Sequence, residues 1–162
     1  MKFLIYNLLH SRMAQALAAG AGGMLCISLL ALLQNWQQVA LLMAPFGATM
    51  VILFVLPDSP LAQPRNIIGG HLLTAAAGLL IQQWLGVDAL SLGLATGVGI
   101  VLMVMTGTTH PPAGANPLLV MLTRPDISFL LTPVLSGVLL IVLFGVIYHR
   151  LLRRRPYPQR WF

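Results

Sequence analysis

The chain has 162 residues, of which 58% are hydrophobic and only 7% are charged, and its mean hydropathy is +0.89. This composition excludes an ordinary soluble globular domain and indicates an integral membrane protein. The net charge of +6 does not indicate a nucleic-acid partner, because the basic residues gather near the ends of the chain, where membrane orientation explains them.

Catalytic and metal-binding residues are scarce. The three acids lie at the edges of apolar runs, which excludes catalysis by paired carboxylates inside the membrane. Cys26 is the only cysteine, so neither a disulfide framework nor a thiolate metal site is available. An enzyme would have to combine Thr108 or Thr109 with His110, and we regard this as the weakest hypothesis. We therefore expect no enzymatic activity, no metal and no cofactor.

The apolar runs predict an all-α membrane protein with four transmembrane helices and two short broken or re-entrant helices. Residues 1–12 lack the pattern of a signal peptide, and we expect them to form a short cytoplasmic lead. About 20 apolar residues cross a ~30 Å hydrocarbon core, so the segment opened by Pro45 cannot span alone and residues 111–123 are short for a crossing. The predicted spanning helices are 13–34, 67–85, 89–106 and 127–149, and the short helices are 45–56 and 111–123.

Three local features refine these helices. Asp88 is expected to cap the helix that follows it. Asp58 and Asp126 are each expected to cap the following helix or to form the turn before it. Pro133 is expected to kink the last spanning helix.

The two halves of the chain resemble each other. Pro45-x-Gly47-Ala48-Thr49 matches Pro112-x-Gly114-Ala115-Asn116 at a spacing of 67 residues, and Pro-Asp pairs recur at a spacing of 68. This predicts two repeats, 13–85 and 86–149, followed by a basic cytoplasmic tail, 150–162. Interrupted segments at corresponding positions of two halves point to a transport site.

Charge predicts that both termini are cytoplasmic and that the number of crossings is even. Four crossings place seven Lys or Arg residues inside and two outside, whereas six place eight and one. We favour four, because residues 111–123 are short for a crossing. Units with two crossings would repeat in parallel, and units with three would be inverted.

The short helices suggest an anion site. A helix that starts within the membrane presents unpaired N–H groups and a partial positive charge. His110 is the only ionisable side chain between residues 90 and 123, and such residues are functional candidates by default. Packing of small residues, repair of carbonyls freed by the prolines, and an interfacial anchor at Arg65 remain the alternatives. The candidate substrate-binding residues are Pro45, Gly47, Ala48, Thr49, Arg65, Asn66, His71, Thr108, Thr109, His110, Gly114, Ala115 and Asn116.

The family resemblance lies in the stretches Pro45–Thr49, Ser59–Asn66, Gly69–His71 and His110–Ala115. In these stretches the chain resembles the HPP family of small membrane proteins, named after the tripeptide at 110–112. The resemblance implies four transmembrane helices and suggests anion transport, because some cyanobacterial and chloroplast members transport nitrite. A bacterial inner membrane is then the expected location.

We therefore expect a permease or channel for a small inorganic anion such as nitrite. A chain with four to six crossings offers little interior for a pathway, so a homo-oligomer in the lipid bilayer is expected. The alternative is a non-transporting scaffold or subunit of a larger complex, whose small residues serve helix association.

Overall fold

The computed structural model describes residues 11–161, and every regular element in that range is helical. The all-α prediction is therefore confirmed for this range, whereas the predicted N-terminal lead lies mostly in residues 1–10, outside the described residues. The six α-helices are α1 Arg12–Gln37, α2 Ala44–Val55, α3 Pro64–Leu85, α4 Ala89–Met105, α5 Asn116–Thr123 and α6 Ser136–Ile147. Short 3₁₀-helices cover Pro60–Ala62, Pro111–Ala115 and Ile127–Leu130, and π-helical turns cover Leu131–Leu135 and Tyr148–Leu152.

Local chemistry sets several helix ends. Asp88 forms a capping box with Ser91 at the start of α4, as predicted, and Asp126 caps the 3₁₀-helix that follows it. Asp58 lies in the turn before the next 3₁₀-helix, so the turn-forming alternative is confirmed and the capping role is not. Ser59 lies one residue closer to the 3₁₀-helix and caps it instead, with its hydroxyl accepting from the backbone N–H of Leu61.

Prolines set two further features of the helices. α3 begins at Pro64, three residues before the predicted start, because proline suits the first helical position. The last long helical stretch, Ile127–Leu152, is broken at Thr132, whose φ of −138° and ψ of 121° are not helical. The predicted kink at Pro133 is therefore confirmed.

The first short helix runs antiparallel to α1. The side-chain oxygen of Gln34 accepts from the N–H groups of Leu41 and Leu42, at 3.0 and 3.1 Å. Further along, Phe54 packs against Gly22, where an added Cβ would lie 2.5 Å from its ring. Residues 41–54 therefore run from the end of the bundle that carries Trp36 towards the end that carries Arg12. We name these the tryptophan end, with Trp36 and Trp84, and the basic end, with Arg12, Arg65 and residues 150–160.

The second short helix runs parallel to α3. The Arg65 guanidinium donates to the carbonyl of Thr106 at the basic end. Gly78, further along α3, packs against the backbone of Pro117. Residues 106–117 therefore run from the basic end towards the tryptophan end.

These directions do not support the predicted re-entrant arrangement. Each short segment passes along the bundle from one end to the other, as in the six-passage alternative. The first short segment can pass from one end to the other because non-helical residues add to its length. α2 covers about 18 Å at a rise of 1.5 Å per residue, and residues 39–43 add about 16 Å if extended. Helix length alone underestimates the distance that the segment covers.

The two halves consequently run in opposite directions, since α1 starts at the basic end and α4 at the tryptophan end. Each half contains a long helix, a short helix, a 3₁₀-turn and a second long helix. This order agrees with the proposed repeat, but the boundaries 13–85 and 86–149 stay a prediction.

Among the described residues, two helical stretches have the length and apolar character of a membrane span, Arg12–Gln37 and Ile127–Leu152. α3 has 22 residues and lies at the centre, packed against α4, α5 and the last helical stretch. Its buried face carries polar side chains, which places a polar site inside the bundle.

Candidate functional site

Four fully buried polar side chains form a network inside the bundle. Thr49 comes from α2, His71 from α3, His110 from the turn after α4, and Asn116 from the start of α5, and each has 0% exposure. The hydroxyl oxygen of Thr49 lies 2.9 Å from Nε2 of His71 and 3.0 Å from Nε2 of His110. The network therefore joins the two halves of the chain through one hydroxyl group.

The acceptors around the network assign its protons. Nδ1 of His110 lies 2.8 Å from the carbonyl of Leu61, which can only accept, so this nitrogen carries a hydrogen. In a neutral ring Nε2 of His110 then accepts from the Thr49 hydroxyl. The Thr49 oxygen in turn accepts from Nε2–H of His71, whose Nδ1 accepts from the Asn116 amide at 3.0 Å. Every hydrogen bond in this chain is satisfied with both imidazoles neutral.

A second layer fixes the orientation of Asn116. Its amide nitrogen lies 3.0 Å from the carbonyl of His71 and 2.9 Å from the hydroxyl of Thr74. Thr74 itself donates to the carbonyl of Gly70 at 2.7 Å. The edge of Phe46 faces the His71 ring, with centroids 5.3 Å apart and planes at 81°. These contacts hold the His71 ring on both sides.

The sequence places His110 by combining a proline pair with close packing. Pro111 and Pro112 prevent continuation of α4, so His110 has extended backbone with φ of −139° and its ring turns inward. Gly70 provides the space, because a Cβ there would lie 2.8 Å from Cβ of His110 and 3.0 Å from the carbonyl of Thr108. The backbone at 108–110 therefore lies directly against α3.

The helix starts do not contribute the donors that the sequence suggested. The N–H of Phe46 already donates to the carbonyl of Met43, and that of Ala113 donates to the carbonyl of His110. The prolines before them have no N–H. Gly47, Ala48 and Ala115 are exposed and Gly114 is half-buried, so these candidates do not converge on the network.

Instead, the two Pro-x-Gly-Ala motifs form an outward-facing groove. It has a volume of about 740 Å³, and its lining is apolar apart from backbone atoms. The motif residues that line the groove are Pro45, Ala48, Pro112 and Ala115, with Pro111 beside them. This position suits lipid or another helix better than an ion.

Four other candidates lie together at the basic end. The Arg65 guanidinium donates to the carbonyl of Thr106 at 2.6 Å, and the Asn66 amide donates to the carbonyl of Thr109 at 2.8 Å. The Thr108 hydroxyl lies 2.8 Å from that of Thr106. These bonds hold the 106–109 turn against the start of α3.

Arg65 and Asn66 also line a polar cleft of about 620 Å³, which opens at the basic end. Gln63, Gln159 and Arg160 contribute to the same cleft. The cleft thus brings two arginines close to the 106–110 turn that carries His110.

The sequence reasoning missed two members of the site. Thr74 lies three residues after His71, so helical periodicity could have placed it on the same face of α3. The carbonyl of Leu61 had no such signal, since a backbone group in a short 3₁₀-helix leaves no mark in the sequence. Among residues 11–161, no three His, Cys, Asp or Glu side chains are grouped as a metal site would require.

Comparison with known proteins identifies the family. The family model described as "HPP, transmembrane region" matches residues 7–158. Two transmembrane proteins of Dictyostelium discoideum are 36% and 33% identical to the chain, over 133 and 134 residues. These alignments cover 77% and 78% of this chain but 47% and 43% of the relatives, so the chain spans less than half of their length. No solved structure matches the chain. With the family model covering nearly all of its length, the chain belongs to the HPP family of transmembrane proteins.

Proposed function

We propose that this domain moves a small monovalent anion across the membrane, with nitrite as the leading candidate. The observation that carries the proposal is the single hydroxyl of Thr49 that bridges two buried histidines from different halves of a transmembrane domain. Ionisable side chains inside a membrane domain are costly to bury, and they commonly mark ion pathways or proton relays.

The network supports binding of an anion together with a proton. The hydrogen of the Thr49 hydroxyl can turn to a second acceptor, the carbonyl of Pro45 at 3.3 Å, which frees Nε2 of His110. An anion that displaces the Thr49 oxygen would accept from Nε2–H of His71. A proton added to His110 would convert its Nε2 from an acceptor into a second donor. Anion and proton together add no net charge to the site, which lowers the cost of holding them in a low-dielectric interior.

The polar cleft offers a route to this site from the basic end. Its lining contains two arginines, Arg65 and Arg160, and one acid, Asp58, so its net charge is positive and would attract an anion. The turn that Arg65 holds leads directly to His110. Release of the Asn66 and Arg65 bonds to residues 106–109 would open the way from the cleft to the network.

We further propose six membrane crossings with the basic end in the cytoplasm, as in a bacterial inner membrane. Of the eight arginines described, seven lie at the basic end and only Arg124 lies at the tryptophan end. This asymmetry follows the positive-inside rule, and the exposed Trp36 and Trp84 suit the opposite interface. Both termini would then be cytoplasmic.

The apolar groove supports a homo-oligomer, and it also supports the competing function. A second copy that covers Pro45, Pro112 and Ala115 would shield this apolar groove. A scaffold or subunit would use the same groove for a different protein and would carry no ions.

The test is nitrite uptake into liposomes that contain the purified chain, at two pH values and with and without a membrane potential. Nitrate, formate and chloride serve as competitors, and protein-free liposomes measure the passage of nitrous acid through lipid. We expect saturable uptake that His110→Gln and Thr49→Val lower and Thr49→Ser preserves. Absence of flux for every anion, in vesicles that contain folded protein, would favour the scaffold.

A further inference from the structure

A second cleft at the basic end is separate from the histidine network. It lies between α1, α2 and the end of the last helical stretch and has a volume of about 530 Å³. Arg12, Arg153 and Arg155 line it, and none of its lining residues is acidic. Its polar part is therefore a concentrated positive region, which suits a phosphate group.

The rest of this cleft is apolar. Its wall follows α1 past Gly20 and Gly23 and α2 past Met50 and Val51. A Cβ added at Gly20 would meet no atom within 4 Å, so the α1 side of the wall has open space at this level. The cleft therefore joins a cationic mouth to an apolar groove that runs along two membrane helices.

His149 supplies an independent sign of an occupant. It lines the cleft and is only 2% exposed. Its Nε2–H donates to the carbonyl of Leu53 at 2.9 Å, whereas its Nδ1 is buried and has no hydrogen-bond partner among the described residues. An unpaired buried acceptor is costly, and a donor from a molecule in the cleft would satisfy it.

We propose that this cleft binds one anionic phospholipid. The phosphate lies among the guanidinium groups of Arg12, Arg153 and Arg155, and one acyl chain follows the groove beside Gly20. A headgroup hydroxyl, as in phosphatidylglycerol, provides the donor for His149. Basic pockets between helices on the cytoplasmic side are suited to such headgroups. The site does not depend on the proposed transport of an anion.

The test is native mass spectrometry of the purified full chain in detergent, titrated with dioleoyl phosphatidylglycerol or with dioleoyl phosphatidylcholine. We expect one phosphatidylglycerol to stay bound in preference to phosphatidylcholine. Each arginine near the membrane surface contributes about a fivefold gain in affinity, so Arg153→Gln with Arg155→Gln should weaken binding roughly thirtyfold. Arg154→Gln is the matched control, because Arg154 lies between these two residues in sequence but does not line the cleft.

A second variant separates a lipid from a small anion. Gly20→Leu adds an apolar side chain to the groove and leaves all three arginines in place, and we expect it to fold, since its Cβ would meet no atom within 4 Å. We expect it to weaken phosphatidylglycerol binding. The proposal is overturned if both lipids are retained equally, or if the double arginine variant binds like the wild type. It is also overturned if Gly20→Leu changes nothing while glycerol phosphate displaces the lipid, or if a second copy occupies the cleft instead.

Discussion

Replacing Thr49 by valine tests whether its hydroxyl holds the network together. Valine has nearly the same shape, so the substitution removes two hydrogen bonds and creates little cavity. It leaves Nε2–H of His71 and Nε2 of His110 unpaired in a site with 0% exposure. Loss of a buried partner costs about 1–3 kcal/mol in general, whereas hydrogen bonds between membrane helices average about 0.6 kcal/mol. Two groups lose their partner here, at about 1 kcal/mol each, so the free energy of unfolding should fall by about 2 kcal/mol.

The assay is equilibrium unfolding of the full chain in mixed detergent micelles, with Thr49→Ser as the control that keeps the hydroxyl. A double-mutant cycle with His110→Leu isolates the coupling between the two residues. When His110 is already absent, Thr49→Val should cost about 1 kcal/mol less, because one unpaired group has disappeared. Equal stability of the valine and serine variants, or simple additivity in the cycle, would refute the network.

Three other predictions use the same unfolding assay. Gly78→Ala places a Cβ 2.9 Å from Cα of Pro117, so α3 and α5 must separate at a cost of about 1–3 kcal/mol. In the control Gly93→Ala, the added Cβ meets no atom within 4 Å. That variant should be more stable than the wild type by about 0.5–1 kcal/mol. Hydrogen bonds from the backbone N–H and side chain of Ser91 lower the pKa of Asp88 below its usual 3.8. The ionised Asp88 should therefore stabilise the protein above pH 3.8, and this stabilisation should disappear as the pH falls through the lowered pKa. Asp88→Asn should lack this pH dependence. Burial raises the pKa of Tyr157 above its usual 10.0, so the unfolded chain ionises first and stability should fall above about pH 10; Tyr157→Phe should lack this alkaline loss.

The sequence was sufficient to predict the breaks in the helices and the central position of His110. Proline cannot continue a helix, and this holds in any tertiary setting, so the breaks before Pro45 and Pro111 were predictable. An ionisable side chain in an apolar run must find partners inside the bundle, which made the buried, hydrogen-bonded position of His110 predictable; its part in a binding site stays a prediction. Asp88 was similarly local, because a cap depends on the next few residues only.

Orientation of the short helices was not predictable in the same way. α2 is apolar on almost every side, so no polar stripe distinguishes a face that points inward, and Gly47 and Ala48 proved to be exposed. The packing of the basic tail was also not predictable from the sequence. Its charges indicated topology, yet Tyr157 is fully buried and donates to the carbonyl of Ala62. Such long-range contacts depend on how the chain returns to the loop, which short-range patterns do not encode.

The two histidines of the network have no polar counterparts at the equivalent positions of the proposed repeat, which predicts that water reaches the network differently from the two ends of the bundle. At the predicted repeat spacings, His110 corresponds to Met43 and His71 corresponds to Leu139, both apolar. Asn66 therefore extends the polar groups from the network to the cleft at the basic end, whereas Thr74 and Asn116, on the tryptophan side, are fully buried and the position equivalent to His110 is apolar. Met43 is buried, with 8% exposure, whereas Asn66 is partly exposed and lines the polar cleft.

Cysteine labelling tests this asymmetry. In a chain that carries Cys26→Ala, Asn66→Cys should react with a water-soluble thiol reagent added at the basic end, and Met43→Cys should stay unmodified from either side. The reagent reacts with the thiolate, which forms in contact with water, and of these two positions only residue 66 lines the polar cleft. Equal labelling of both positions would mean that a polar route also reaches the network from the tryptophan end. The opening that leads to the histidines would then not be confined to the turn held by Arg65 and Asn66.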